Sequence, residues 1–187
     1  MRIDFIHKKL NSILNLCGTR DPFEIISLLG ILLLYEPMGS EKTACKGFFM
    51  KHSRIKSITI NSSLSEKMQR IAAHELGHAV LHSSKAKIDG FNDFALFSEM
   101  NSSEYEANVF AAELLIPDEY LIEGLKNGKS IFQIAAALSL PDEIMDFKDI
   151  SLSNKALLSL MDEETLKEEV KNIATYISNE IVKNMEI

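Results

Sequence analysis

The sequence has few cysteines, no long apolar run and no excess of positive charge, and each absence excludes a class of protein. Its two cysteines, Cys17 and Cys45, form neither a CxxC pair nor a short disulfide framework, which favours reduced thiols and the cytosol. The most apolar run, residues 25–35, is shorter than a bilayer span and is interrupted by Gly30. We therefore expect a cytoplasmic protein with neither a signal peptide nor a membrane anchor.

The charge balance argues against a partner made of nucleic acid. The chain has 20 basic and 27 acidic side chains and a formal net charge of −7 at pH 7, so the molecule as a whole does not attract phosphate backbones or anionic lipid. Its composition, 46% hydrophobic and 25% charged, is typical of a globular protein. A length of 187 residues suits one well-packed domain with a modest appendage.

The order of helical and extended patterns indicates an α+β fold. Segments with apolar residues at helical spacing, several of them preceded by capping residues, predict helices at about 3–16, 22–30, 64–82 and 103–116. Segments rich in strand-forming residues predict three strands, at 31–35, 46–50 and 54–60. These strands suggest a small, mostly antiparallel three-stranded sheet.

The domain organisation follows from the remaining patterns. We expect one domain over residues 1–150, followed by a C-terminal helical extension over residues 151–187. Within the domain, short helices at about 118–148 resemble a helix-turn-helix. The second helix of that segment is mainly acidic and would repel phosphate, so direct binding of nucleic acid is not expected.

His74-Glu75-Leu76-Gly77-His78 is an HExxH motif within a segment that other patterns predict to be helical. Residues four apart are neighbours on one helical face, so His74 and His78 can bind one cation, while Glu75 points about 100° around the helix. Zinc lowers the pKa of a bound water to roughly 7, and a carboxylate beside it can act as a general base. The motif therefore predicts a catalytic zinc site, with Glu75 as the base.

A catalytic zinc site needs a third protein ligand, and Glu104 is the preferred candidate. It opens a second predicted helix, and Asn108 lies four residues later on the same face, where its amide can hydrogen-bond a ligating histidine. Glu106 is accounted for by a predicted capping box, and Glu113 lies on a different helical face.

Three other sources of a third ligand are less suitable than Glu104. A histidine at the metzincin spacing is excluded, because Ser84 stands at that position. His82 is better placed for hydrogen bonding or packing than for ligation. Cys45 would supply a thiolate of the peptide deformylase kind, although the other signatures of that family are missing.

Two segments, IAAHELGHAVLH at 71–82 and EYEANVFAAELLIP at 104–117, resemble the ImmA/IrrE family of metallopeptidases. Shorter matches precede them in collinear order, at 21–26, 46–49 and 58–61. The resemblance covers about residues 20–150.

The resemblance implies an intracellular zinc peptidase with a zincin-like α+β domain that cleaves a helix-turn-helix repressor, often encoded on a phage or mobile element, and so derepresses genes. By position it implies that His74, His78 and Glu104 are zinc ligands and that Glu75 is the base. The residue that stabilises the oxyanion stays open among His7, His52 and Tyr105.

A function of a different class is a binding module in which zinc is structural or sensory and the protein regulates a repressor by association. The intact Glu75 favours the enzyme, because a site without chemistry needs no general base. If an extended substrate binds by adding a strand, as zincin substrates generally do, segment 46–50 or segment 54–60 should supply the edge.

Overall fold

The computed structural model describes residues 2–41, 43–83, 102–138 and 148. The chain divides into two compact units, Met1–Leu115 and Ile116–Ile187, and its helices and small sheet make it an α+β protein. No helix among the described residues is long and apolar enough to cross a membrane. The predicted boundary at residue 150 and the extension after it lie outside the described residues and stay predictions.

The helices of the first unit lie close to their predicted positions. They are α1 (Arg2–Cys17), α2 (Pro22–Leu28), a 3-10 helix (Ser62–Lys67), α3 (Met68–Leu81) and α4 (Ser102–Leu115). Asp21 caps α2 as predicted, because its carboxylate accepts a hydrogen bond from the backbone N–H of Phe23 at 2.8 Å. Gly30, with a φ of 65°, supplies the left-handed conformation that follows this helix.

The start of α3 differs from the prediction. The capping-box pattern at 63–66 does not begin it; instead the fully buried Asn61 caps the 3-10 helix by accepting a hydrogen bond from the backbone N–H of Ser63. The same amide hydrogen-bonds backbone groups at Met38, Gly39 and Cys45. A buried amide must satisfy its polar atoms, so Asn61 fixes both the helix start and the loop before β2.

The sheet is mixed. Its strands are β1 (Leu32–Glu36), β2 (Gly47–His52) and β3 (Ile55–Asn61), in the order β1-β3-β2. β2 and β3 form an antiparallel hairpin, but β1 pairs with β3 in parallel. The prediction of a mostly antiparallel sheet was therefore wrong for β1, because apolar patterns identify extended segments without specifying which neighbour each one pairs with.

Of the two segments expected to offer an edge strand, 54–60 forms the central β3 and 46–50 overlaps β2. β2 is an edge strand. Its Gly47 lies against α3 and β3, since a Cβ there would be 2.7 Å from Cγ2 of Ile71 and 2.8 Å from the carbonyl oxygen of Thr59. Only glycine allows the edge strand to approach this closely.

Helices α3 and α4 pack against each other through small and apolar residues. The buried side chains on these two helices include Ile71, Ala72, Leu76, Ala79, Ala107, Phe110, Ala111 and Leu114. A Cβ on Gly77 would be 3.1 Å from both the Cα and the carbonyl oxygen of Ala107. The absence of a side chain at Gly77 therefore brings the first turn of α4 next to the HExxH face of α3.

The second unit contains α5 (Asp118–Lys126) and α6 (Ile131–Ala137). Ile134 of α6 is buried, and a Cβ on Gly124 of α5 would be 2.6 Å from its Cδ1. Lys148, also buried, forms an ion pair with Asp118. The acidic helix predicted after α6 lies, apart from Lys148, outside the described residues.

Candidate metal and active site

Helix α3 presents His74 and His78 on one face. Their Nε2 atoms lie 3.1 Å apart, as the four-residue spacing predicts. Glu75 lies between them in sequence but is directed into the protein, where only 6% of the residue is exposed. The two imidazoles and the carboxylate therefore occupy different positions around the same helix turn.

Glu104 reaches both histidines from the first turn of α4. Its Oε2 lies 3.2 Å from Nε2 of His74, and its Oε1 lies 3.2 Å from Nε2 of His78. Within the described parts of the chain, His74, His78 and Glu104 are the group of potential ligands whose donor atoms converge, all within 4.8 Å of one another. The structure thus brings together the three residues predicted as ligands.

The donor set and its spacing fit a zinc ion. Two imidazole nitrogens and one carboxylate oxygen are common zinc ligands, and ligands bound tetrahedrally at about 2.0–2.1 Å lie about 3.3 Å from one another. The 3.1 Å between the two Nε2 atoms agrees with that spacing, and each Nε2 lies 3.2 Å from a different oxygen of the Glu104 carboxylate. The side chains are also partly open to solvent, with exposed fractions of 21% for His74, 16% for His78 and 35% for Glu104. A site with three protein ligands and access from solvent is the form that catalytic zinc sites take.

The environment of the site shifts the pKa values of His74, Glu104 and Glu75. Burial lowers the pKa of His74, but its hydrogen bond to Glu104 and the charges of Glu75 and Glu104 outweigh burial, so the pKa is raised overall. Hydrogen bonds to His74 and His78 hold the pKa of Glu104 far below its usual range. Burial raises the pKa of Glu75, although the two histidines and the Phe49 backbone oppose this rise.

Asn108 holds the far side of His74. Its Oδ1 lies 2.8 Å from Nδ1 of His74, and it lies one turn after Glu104 on α4. When Nδ1 of His74 donates its proton to this oxygen, the lone pair of the neutral ring is on Nε2 and faces Glu104. Asn108 therefore occupies the position predicted for a group that orients a ligating histidine.

His82 and Glu106 lie behind His78 and do not join the ligand group. Nδ1 of His82 is 3.2 Å from Nδ1 of His78, and Nε2 of His82 is 2.9 Å from Oε2 of Glu106. Both residues are buried, with exposed fractions of 6% and 8%. The predicted capping role of Glu106 was wrong, because α4 begins at Ser102 and the Glu106 carboxylate bonds His82.

The other rival ligands lie elsewhere. Oε2 of Glu113 is 3.5 Å from Nε2 of His7, and nine residues of α-helix, about 13 Å, separate Glu113 from Glu104. Cys45 is not part of the converging group; its Sγ donates to the carbonyl oxygen of Gly47, and burial raises the pKa of its thiol. A raised pKa disfavours the thiolate that binds zinc.

The edge of β2 that pairs with no other strand among the described residues faces Glu75. The backbone N–H of Asn61 donates to the carbonyl oxygen of Lys46, so in this antiparallel pair the backbone groups of Gly47, Phe49 and Lys51 point away from β3. The hydrogen bond between the Phe49 backbone and Glu75 agrees with that direction. An extended chain added along β2 would therefore run past the carboxylate.

Comparison with known proteins decides the family. The Peptidase M78 family, described as the IrrE N-terminal-like domain, matches residues 27–148. The chain belongs to this family. The ImmA/IrrE resemblance inferred from the sequence is thereby confirmed, and the Peptidase M78 match includes His74, Glu75, His78 and Glu104.

Two relatives agree with the Peptidase M78 assignment. The chain is 35% identical over 135 residues to uncharacterized immunity region protein 2 of Bacillus phage phi105, a match that covers 71% of this chain and 82% of that protein. It is 30% identical over 148 residues to metallopeptidase ImmA of Bacillus subtilis (strain 168), covering 76% and 83% respectively. The family and this second relative support a metallopeptidase, an activity that implies a bound metal ion.

The predicted hydrogen bonding of His82 is confirmed by its contact with His78, but the sequence analysis did not identify Glu106 as its second partner. One signal was present: His82 follows His78 by four residues, the spacing at which side chains on a helix meet. The partner of His82 was not visible, because Glu106 lies 24 residues away and comes close only through the packing of α4 on α3.

Proposed function

We propose that this protein is a zinc-dependent endopeptidase that cleaves a helix-turn-helix transcriptional repressor and so derepresses genes. The observation that carries the proposal is the convergence of His74, His78 and Glu104 in a site open to solvent, with the buried carboxylate of Glu75 on the same helix turn. Membership of Peptidase M78 and the name of metallopeptidase ImmA support the peptidase activity.

In the proposed site His74, His78 and Glu104 hold the zinc ion. When bound, zinc supplies a Lewis acid that polarises the scissile carbonyl and acidifies water. The partial exposure of these three side chains leaves room for a substrate carbonyl, and three protein ligands leave a coordination position open.

Glu75 is the proposed general base and then general acid. A carboxylate oxygen of Glu75 accepts a proton from the attacking water and later delivers it to the nitrogen of the leaving amine. Burial raises the pKa of Glu75 and so brings it closer to neutral pH. A group that both accepts and returns a proton is most effective when its pKa lies near the pH at which the enzyme works. A structural or sensory zinc would not need such a group.

In this proposal the substrate backbone adds to the outer edge of β2. The outward-facing backbone groups of Gly47 and Lys51 provide donors and acceptors for an extended peptide, while the backbone of Phe49 between them hydrogen-bonds Glu75. Main-chain recognition favours an unfolded or flexible segment of the substrate over a fully folded domain. We therefore expect cleavage in a linker or loop of the repressor.

The repressor as substrate is supported by the resemblance to the ImmA/IrrE family and by the phage relative named for an immunity region. The test is to incubate the purified, zinc-loaded protein with the helix-turn-helix repressor encoded beside its gene. Intact mass spectrometry should find two complementary fragments with the active protein and none after chelation. A stable complex without fragments would instead favour the binding module.

A further inference from the structure

Behind His78 lies a buried chain of polar groups that the proposed reaction does not use. It runs from Nδ1 of His78 to Nδ1 of His82 at 3.2 Å, and from Nε2 of His82 to Oε2 of Glu106 at 2.9 Å. The side chains of His82 and Glu106 are only 8% and 11% exposed. Burial strengthens hydrogen bonds and makes an unsatisfied group costly, so the orientation of each proton in this chain is constrained.

Metal binding at His78 determines which ring nitrogen donates in the contact between Nδ1 of His78 and Nδ1 of His82. Two imidazole nitrogens at hydrogen-bond distance need one proton between them unless a cation lies there, because two N–H groups or two lone pairs would repel. If Nε2 of His78 gives its lone pair to a metal ion, the proton of that neutral ring is on Nδ1. Nδ1 of His78 is then the donor, and Nδ1 of His82 is the acceptor.

The same reasoning extends to Glu106. A neutral His82 that accepts at Nδ1 carries its proton on Nε2, and that N–H faces the Glu106 carboxylate at 2.9 Å. In both contacts, His78 to His82 and His82 to Glu106, one atom donates a proton and the other accepts it. If these hydrogen bonds ran in the opposite direction, neutral His78 would carry its proton on Nε2, and Nε2 could not bind a metal ion.

We propose that His82 and Glu106 are positioning residues that fix the tautomer and ring orientation of His78 for metal binding. The inference rests on the metal site of the proposed function but not on its substrate. It also completes a symmetry in the site: Asn108 holds Nδ1 of His74 directly, whereas Glu106 holds Nδ1 of His78 through a second imidazole. Removing a group that orients a ligating histidine in this way typically lowers metal affinity by about 10- to 100-fold.

The test compares His82→Asn with His82→Leu. The two new side chains have nearly the same shape, but Oδ1 of asparagine can accept the hydrogen bond from His78, while leucine offers no acceptor. We expect zinc affinity, measured by chelator competition, to fall about 10- to 100-fold in His82→Leu and to stay much closer to wild type in His82→Asn. Equal affinity in both variants would overturn the proposal, because packing alone would then explain His82.

Glu106 provides a matched second pair. Glu106→Gln keeps an oxygen that can accept from His82, and Glu106→Met keeps the length without an acceptor. We expect Glu106→Met to lose more zinc affinity than Glu106→Gln. This pair decides the question even if His82→Leu fails to fold. Equal zinc affinities for the glutamine and methionine variants would contradict the proposed hydrogen-bond relay from Glu106 through His82 to His78.

A double-mutant cycle distinguishes a relay from two separate effects. His82→Leu combined with Glu106→Met should weaken zinc binding hardly more than His82→Leu alone, because the proposal has Glu106 act on His78 through His82. Asn108→Leu acts on His74 and should add its full effect to either change. The absorption spectrum of the cobalt-substituted protein should shift in His82→Leu and return toward wild type in His82→Asn.

These readouts do not depend on proteolysis. If the relay is wrong while the proposed function is right, His82→Leu will bind zinc as His82→Asn does, Glu106→Met as Glu106→Gln does, and the wild-type protein will still cut the repressor. If the proposed function is wrong while the relay is right, the variants will change zinc affinity as predicted although the wild-type protein cuts nothing.

Discussion

Gly77 of α3 and Ala107 of α4 approach so closely that a methyl group on Gly77 would be 3.1 Å from the Cα and carbonyl oxygen of Ala107. The neighbouring atoms are backbone and cannot move aside without shifting a helix. Since Glu104, Glu106 and Asn108 reach the histidines from α4, this approach controls the geometry of the whole site.

We predict that Gly77→Ala lowers both stability and zinc affinity. Alanine raises helix propensity by about 1 kcal/mol, but overpacking a well-packed contact costs about 1–3 kcal/mol, so the free energy of unfolding should fall. The measurements are thermal unfolding and chelator titration. Gly124→Ala is the control: it sits in α5 and meets the flexible end of Ile134, so zinc affinity should not change. Full zinc affinity in Gly77→Ala would show that the site tolerates a helix shift.

Removal of Glu104 should weaken zinc binding more than removal of any group that only orients a ligand. Loss of an orienting group lowers metal affinity by about 10- to 100-fold. We expect the zinc affinity of Glu104→Ala to fall by more than that. Cys45→Ala should bind zinc like wild type, because its thiol lies outside the converging donor atoms. Elemental analysis and chelator competition measure both variants. The reverse pattern, with loss only in Cys45→Ala, would refute the assignment of Glu104.

Zinc affinity should fall as the pH falls through the raised pKa of His74. Protonation removes the lone pair of Nε2, so protons compete with the metal, and the raised pKa means that this competition begins at a higher pH than for an ordinary histidine. Glu104, whose pKa is lowered, stays ionised over the same range and does not contribute to the loss. Competition titrations between about pH 5.5 and 7.5 should find affinity rising with pH; a flat profile would contradict ligation by His74.

Truncation after residue 150 should leave zinc binding intact. All three proposed ligands and the residues that orient them lie in the unit Met1–Leu115. The truncated protein should therefore match the full chain in zinc content and affinity. A soluble, folded truncation that cannot hold zinc would mean that the C-terminal extension contributes to the site.

Local chemistry made the helix-borne part of the site predictable. The HExxH spacing brings His74 and His78 onto one helical face, and the i to i+4 relation of Glu104 and Asn108 brings an acid and an amide onto another. Each relation needs only helix geometry. The structure accordingly brings His74, His78, Glu104 and Asn108 together.

Tertiary packing determined the features that the sequence did not predict. β1 pairs with β3 because of the path of the intervening chain, which apolar periodicity does not encode. Asn61 replaces the predicted capping box because its amide satisfies backbone groups from two separate segments. Glu106 was predicted to cap α4, but the packing of α4 on α3 brings its carboxylate to His82.

Cleavage of the repressor by Glu75→Gln tests the central claim most directly. Glutamine keeps the size of the side chain but cannot accept the proton of the attacking water, so turnover should fall by a factor of about 10² to 10⁴ or more, while zinc affinity and repressor binding stay close to wild type. Glu24→Gln, the same change at an exposed position on α2, should cut like wild type. The measurement follows intact repressor on a gel, with zinc and complex formation assayed in parallel. The account predicts normal binding with almost no cleavage by Glu75→Gln; cleavage at the wild-type rate would contradict it.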